Sequence, residues 1–231
     1  MVKVFFIMCC IFFSLPQNCI ALTITFNDKA MVSGATVTLG DIATFDEQSD
    51  LVNALRSQEV GQSPPPGETI YLRSFVIKQS LLNRQILPSD VSWNGSPTVT
   101  LYRSGITVTS TKILAIISEY IEDRTKDLPD AEIRFIHKSL PIPFILPEGN
   151  LSYEVIPSNP GILTSSRFSI IFRIDDKVAR NMSVKGKVEA LANVVVSTKK
   201  IKKETIITPQ HLTYAKKDIS NISDPTVNPN E

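Results

Sequence analysis

The stretch TKKIKKETIITPQHLTYAKKDI, Thr198 to Ile219, carries six lysines interleaved with isoleucines, threonines, one histidine and one tyrosine. Ammonium groups at that density can hold a polyanion, the more so where aromatic rings offer stacking faces. Other residues suited to chemistry are sparse. His137 and His211 stand far apart and lack the neighbours of a zinc site or of a Ser/His/Asp set. Glu122-Asp123 and Asp175-Asp176 pair carboxylates, as acid–base catalysis can require. The first pair falls at a helix end and the second in a turn, where solvation is the ordinary role. Nine glycines form no phosphate cradle between a strand and a helix. Trp93, beside the turn residues Asn94-Gly95, could stack on a sugar or a base, but a single Trp in that setting is more often a core plug. These residues predict a non-enzymatic protein with no catalytic residue, metal ligand or cofactor.

Composition narrows the class. The chain has 231 residues, 42% hydrophobic and 20% charged, as in an ordinary globular protein. Its first twenty-one residues, MVKVFFIMCCIFFSLPQNCIA, place Lys3 before an apolar run from Val4 to Leu15, then Pro16 and a small Ala21. That is the pattern of a secretory leader cleaved after Ala21. The run is shorter than the ~20 residues a spanning helix needs, so stable membrane insertion is not expected. Cys9, Cys10 and Cys19 all lie in the leader, and the exported chain would carry no thiol. Without Lys3, the 24 Lys+Arg become 23 and equal the 23 Asp+Glu. A near-neutral chain is not the profile of a general nucleic-acid binder. Sequons at Asn94, Asn150, Asn181 and Asn221 would matter only in a glycosylating export pathway.

The elements that position these residues follow from periodicity. Thr36 to Leu39 alternates as a strand, Gly40-Asp41 turns, and Leu51, Val52 and Leu55 have helical spacing. The prolines of GQSPPPG, residues 61 to 67, break the chain before RSFVIKQSLLNRQ, whose Phe75, Val76, Leu81 and Leu82 predict one apolar helix face ending near Arg84. TVTLYRSGITVTS reads as two strands about a tight turn at Ser104-Gly105. Ser110 is suited to cap a helix carrying Ile113, Leu114, Ile117, Tyr120 and Ile121. From Ala131 onward the pattern is β, with Asp175-Asp176 as a hairpin turn. The predicted class is α+β: a mixed N-terminal region over 22–125, a β-rich region over 126–192, a further β module over 193–219 and a polar tail over 220–231.

The lysine-rich stretch parses as structure within that plan. Asn193 to Ser197 is a strand, Lys202-Lys203-Glu204 a turn, and Ile206-Ile207 resumes β structure. Thr208 caps a single helical turn with Pro209 at its first position, ending at Leu212. The lysines then take the solvent-facing positions, interrupted by Glu204 and Asp218, which outweighs the polyanion reading.

With the parts in place, VVVSTKKIKKETIITPQHLTYAKKDI resembles the opening of a SAF domain, a β-clip module. Ile201, Glu204, Ile207, Thr208 and Leu212 match, whereas Lys203 stands for the usual Gly and His211 for the usual Asp. Upstream, VTLGDIATF, EVGQSPPPGETIYL, VSWNGSPTVTLYRSG and LPIPFILPEGNLSYEV are similar in order and spacing to the flagellar basal-body P-ring formation chaperone family. The resemblance implies a periplasmic protein that helps assemble the P-ring subunit around the flagellar rod, without cofactor. Family members continue the SAF module well beyond the position of Leu212, so it also implies a truncated, partial β-clip here. The expected mechanism is β-surface contact or strand addition with the ring subunit. The segment Val194 to Leu212 supplies the candidate partner-binding residues: Val194, Val196, Lys199, Lys200, Lys202, Lys203, Thr208 and Leu212. The alternative is a periplasmic glycan- or cell-wall-binding module of the SAF type, centred on Trp93 and Tyr102. Nothing in the residues sets the oligomeric state.

Overall fold

A computed structural model describes residues 22–87, 91–126 and 131–222. The expected leader with its cysteines, and residues 223–231 of the expected tail, lie outside the described residues. In chain order the first strands and helices are β1 (Leu22–Phe26), β2 (Lys29–Val32), β3 (Thr36–Thr38), α1 (Leu39–Ile42), β4 (Ala43–Phe45), α2 (Asp50–Arg56) and β5 (Glu59–Gln62). Next come β6 (Thr69–Arg73), α3 (Ser74–Asn83), β7 (Val91–Gly95), β8 (Thr98–Arg103), β9 (Ile106–Val108) and α4 (Ser110–Arg124). The rest is β10 (Glu132–His137), β11 (Phe144–Leu146), β12 (Leu151–Pro157), β13 (Arg167–Ile174), β14 (Lys177–Ser197) and β15 (Leu212–Asp218), with 3-10 turns at Ile162–Thr164 and Pro209–His211. The class is mixed α and β, with several small sheets and one larger antiparallel sheet.

The chain divides into two compact units, one from residues up to Ala30 with Thr36–Gln62 and Ile70–Leu101, the other from Met31–Ala35, Ser63–Thr69 and Tyr102 onward. In the first unit β1 lies between antiparallel β4 and parallel β7, and β3 pairs with β5. Its core holds Ile24, Val37, Leu39, Ile42, Val52 and Leu55. Gly40-Asp41 sits inside the helical turn α1 rather than in a plain turn, because the Asp41 carboxylate accepts from the Thr38 N–H and hydroxyl at 2.7 and 2.8 Å. The helix expected to bury Leu51 with Val52 and Leu55 is the short α2, and Leu51 is exposed. In α3 the buried face is Ser74, Ile77 and Leu81; Phe75, Val76 and Leu82 are exposed, so the predicted face is rotated. Ser74 fixes that rotation by donating its hydroxyl to the Ser96 carbonyl at 2.6 Å.

The second unit is organised on the sheet β10-β14-β13-β12, to which β15 adds on β14. Helix α4 buries Ile113, Ile116, Ile117 and Ile121, one face at helical spacing, in a core with Phe168, Ile170 and Phe172 of β13 and Val184 and Val188 of β14. Its cap is Thr109, whose side chain accepts from the Lys112 N–H at 3.1 Å. Ser110, expected there, is the first helical residue and donates instead to the Pro141 carbonyl at 2.7 Å. The strands on either side of Ser104-Gly105 exist but do not form a hairpin: β9 pairs with β11, while β8 lies between β2 and β6. Asp175-Asp176 is the expected hairpin turn, with φ of 48° and 63° joining β13 to β14.

Strand β14 runs for 21 residues and changes partners along its length. Residues 177–185 pair with β13, 186–191 with β10 and 191–197 with β15. At the first change stands Gly186, under the Phe135 ring. A Cβ there would lie 2.4 Å from Phe135 Cζ and 2.7 Å from the Ile136 carbonyl oxygen. The absent side chain lets Phe135 cross β14 and meet Phe168 edge-on at 5.3 Å.

Candidate protein-binding site

The lysine-rich stretch is the far end of the β14–β15 hairpin. The loop closes where the Thr198 N–H donates to the His211 carbonyl at 2.8 Å. The 3-10 turn Pro209–His211 has Thr208 as its cap and Pro209 at its first position, as the sequence predicts. The Lys203-Glu204 turn is also present, with Glu204 at φ 66° and the Thr205 N–H donating to the Lys202 carbonyl at 3.2 Å. Ile206 and Ile207 do not resume a strand. They lie in irregular chain, 83% and 59% exposed, because the cap at Thr208 turns the backbone away from the β14 ladder.

Register decides which side chains meet. Val195 is opposite Tyr214 and Ser197 opposite Leu212, so these residues share one face. With Ile207, Thr208 and Pro209, Val195, Leu212 and Tyr214 line a shallow groove of about 520 Å³, and Tyr214 is 58% exposed. Val194, opposite Ala215, faces the other way and is buried with Ala190, Ala192 and Ile219. Val196, opposite Thr213, shares that inner face and is half-buried. Of the sequence-named residues, the groove therefore joins Thr208 and Leu212. Lys199, Lys200, Lys202 and Lys203 stand exposed on the loop, with no carboxylate partner among the described residues. Val195, Ile207 and Tyr214 were not among the partner-binding residues named from sequence. Their signal was alternation: Leu212 and Tyr214 two apart on a strand, beside two isoleucines that a lysine-flanked loop would otherwise have no reason to hold.

Toward the base of the hairpin the same sheet face becomes ionic. The Glu132 carboxylate accepts from Lys216 Nζ at 2.8 Å and from Arg134, and both cations hold it below the usual carboxylate range. Asp218 pairs with Lys187 and also accepts from the backbone N–H groups of Ala190 and Ser220 at 3.2 and 3.1 Å. Lys187 chiefly, with those donors, holds the Asp218 carboxyl well below its ordinary value, and Asp218 in turn raises Lys187. Asp218 thereby fastens the end of β15 to the stretch of β14 where the ladder ends.

The other sequence candidates are placed elsewhere. The Trp93 ring stacks on Phe26 at 5.4 Å and carries the Lys78 ammonium 5.7 Å from its centroid, so it is engaged within the protein. Asp123 pairs with Lys126, which lowers its pKa, and Asp175 accepts from the Asn150 N–H at 2.9 Å. His137 lies on β10 opposite Gly186, as a strand residue. A larger groove of about 820 Å³ beside α4 and β10 is lined by Ser118, Ile121, Glu122, Thr125, Ile133 and Phe135; of the residues weighed from sequence for chemistry it includes Glu122.

Comparisons with known proteins give little beyond this geometry. No family model and no curated protein matches the chain. A solved flagellar protein FlgA from Thermotoga maritima aligns over 89% of this chain and 69% of its own, at 16% identity and a TM-score of 0.30. A functionally unknown protein from Eubacterium ventriosum aligns over 36% of this chain and 95% of its own, at 16% identity and a TM-score of 0.31. Both TM-scores are too low to carry a fold or a function from those proteins to this one.

Proposed function

We propose that this protein is an exported, non-enzymatic assembly chaperone that holds an unassembled subunit of the flagellar P ring in the periplasm. The observation that carries a protein-binding role is the hairpin end. Isoleucines 206 and 207 and Tyr214 are exposed beside a groove on a regular, hydrogen-bonded ribbon, at a place where the fold itself does not need them. Exposed apolar side chains gathered beside a hydrogen-bonded strand and rimmed by charge suit a protein partner. The client is named by the sequence motifs from VTLGDIATF to LPIPFILPEGNLSYEV, and export by the pattern of the first twenty-one residues.

The test is capture from periplasmic extract on the immobilised chain Leu22 to Glu231, against a scrambled bait, with mass spectrometry of what is retained. The expected result is enrichment of the P-ring subunit, lost when Ile207 and Tyr214 are changed together to serine. A folded bait that retains no P-ring subunit, or a gene-deleted strain with complete P rings, would overturn the proposal.

A further inference from the structure

We propose that the outer edge of β15 is a strand-addition site for an extended peptide segment bearing acidic side chains. The inference takes only the client's name from the chaperone reading and otherwise stands on the geometry of the hairpin.

The main chain comes first. In an antiparallel ladder, residues that exchange hydrogen bonds with the partner strand alternate with residues whose N–H and C=O point to the opposite edge. The Thr198 N–H donates to His211 and the Ile219 N–H to Ala190, which fixes the phase. Thr213, Ala215 and Lys217 therefore bond inward to β14, and Tyr214 and Lys216 direct their N–H and C=O groups outward; the Leu212 N–H is taken by the Pro209 carbonyl in the 3-10 turn. Among the described residues β15 has no partner but β14. A row of such unanswered groups is a template for another strand.

The side chains agree with the main chain. Tyr214, whose amide faces the open edge, lines the groove with the neighbouring Leu212 and with Val195 and Ile207. A strand laid along the edge would thus receive backbone bonds and an apolar seat from the same strand. Its charge is set by the six lysines between Thr198 and Ile219, of which the four on the loop have no ion-pair partner among the described residues and face only Glu204 nearby in sequence. Acidic side chains at the end beside Leu212 would meet that cluster. A nucleic acid or sulfated glycan would answer the lysines yet leave the peptide groups unanswered. A second copy of the chain would bring six more lysines to the same ribbon, and like charges would oppose it.

The experiment is amide hydrogen exchange on the chain Leu22 to Glu231, with and without a blocked peptide of about eight residues that alternates glutamate with threonine or valine. The outward amides of Tyr214 and Lys216 should exchange quickly in the free protein and at least about ten-fold more slowly with peptide, while those of Thr213 and Ala215 change little. The same peptide N-methylated at alternate residues should give no protection. Changing Lys199, Lys200, Lys202 and Lys203 together to glutamine, all on the exposed loop, should weaken the peptide about ten-fold or more at low salt.

Absence of protection with saturating peptide would overturn the proposal. So would slow exchange at these amides in the dilute free protein, which would mean that the chain covers its own edge. Protection that depends only on protein concentration would assign the edge to a second copy, and tight binding of a DNA duplex with no peptide effect would mark a polyanion patch. If the P-ring subunit binds while these amides stay unprotected, the edge assignment fails and the chaperone reading stands. If the peptide protects the edge and the subunit does not bind, the reverse holds.

Discussion

At the level of single residues, Asp218 links more of the second unit than any other side chain near the hairpin. Replacing it with Ala would leave the Ala190 N–H, in fully buried surroundings, without its acceptor, a loss of roughly 1–3 kcal/mol that chemical denaturation would measure. The pH dependence has a definite sign. Asp218 and Glu132 have lowered folded pKa values, so their contribution is complete above the ordinary carboxylate range near pH 4 and is lost as pH falls through the folded values. Lys187, raised by Asp218, adds stability that persists below its ordinary pKa near 10 and disappears as pH rises through the folded value. An acid titration followed by the exchange rates of β15 amides should show the strand loosening first, with Asp218→Asn removing most of the pH dependence. Gly186→Val should cost about 1–3 kcal/mol, since the new side chain would meet the Phe135 ring and the Ile136 carbonyl; retention of full stability would show that the ring can move aside.

At the level of elements, capping and turn chemistry separate what local sequence specifies from what it does not. Thr109→Ala should lower stability by about 1 kcal/mol through loss of the α4 cap, seen as a shifted denaturation midpoint. Asp176→Gly should raise it by up to about 1 kcal/mol, because φ of 63° suits glycine better than any residue with a Cβ. The Asp175-Asp176 turn, α4 and the Thr208-Pro209 cap were legible because each depends on residues within a few positions. The rotated face of α3 was not, because Ser74 reaches across to Ser96, twenty-two positions away. Nor was the fate of β8 and β9, which depends on remote β2, β6 and β11. At the candidate site, the lysines and the capped turn could be read directly. The groove could not, since it needs the register that places Val195 opposite Tyr214, and the same register turns Val194 inward.

At the level of the whole molecule, the second unit rests on the α4–sheet core, where Phe168 is fully enclosed and touches both Phe135 and Tyr120 edge-on. Phe168→Ala should cost about 3–5 kcal/mol and unfold that unit at lower temperature in calorimetry. The hairpin is loaded differently from this core. Along β14 the hydrogen bonds to β13, β10 and β15 all lie across one continuous backbone. A tether attached at Glu204 and drawn along the strand axis would pull β14 and β15 the same way and load the bonds of β14 to β13 and β10 together, in shear, whereas a tug sideways on a strand seated against β15 would break its bonds one at a time. The ribbon is built to resist axial drag and to yield to lateral peeling. A bound segment could be dragged lengthwise without detaching and still be stripped off by a neighbour that approaches from the side.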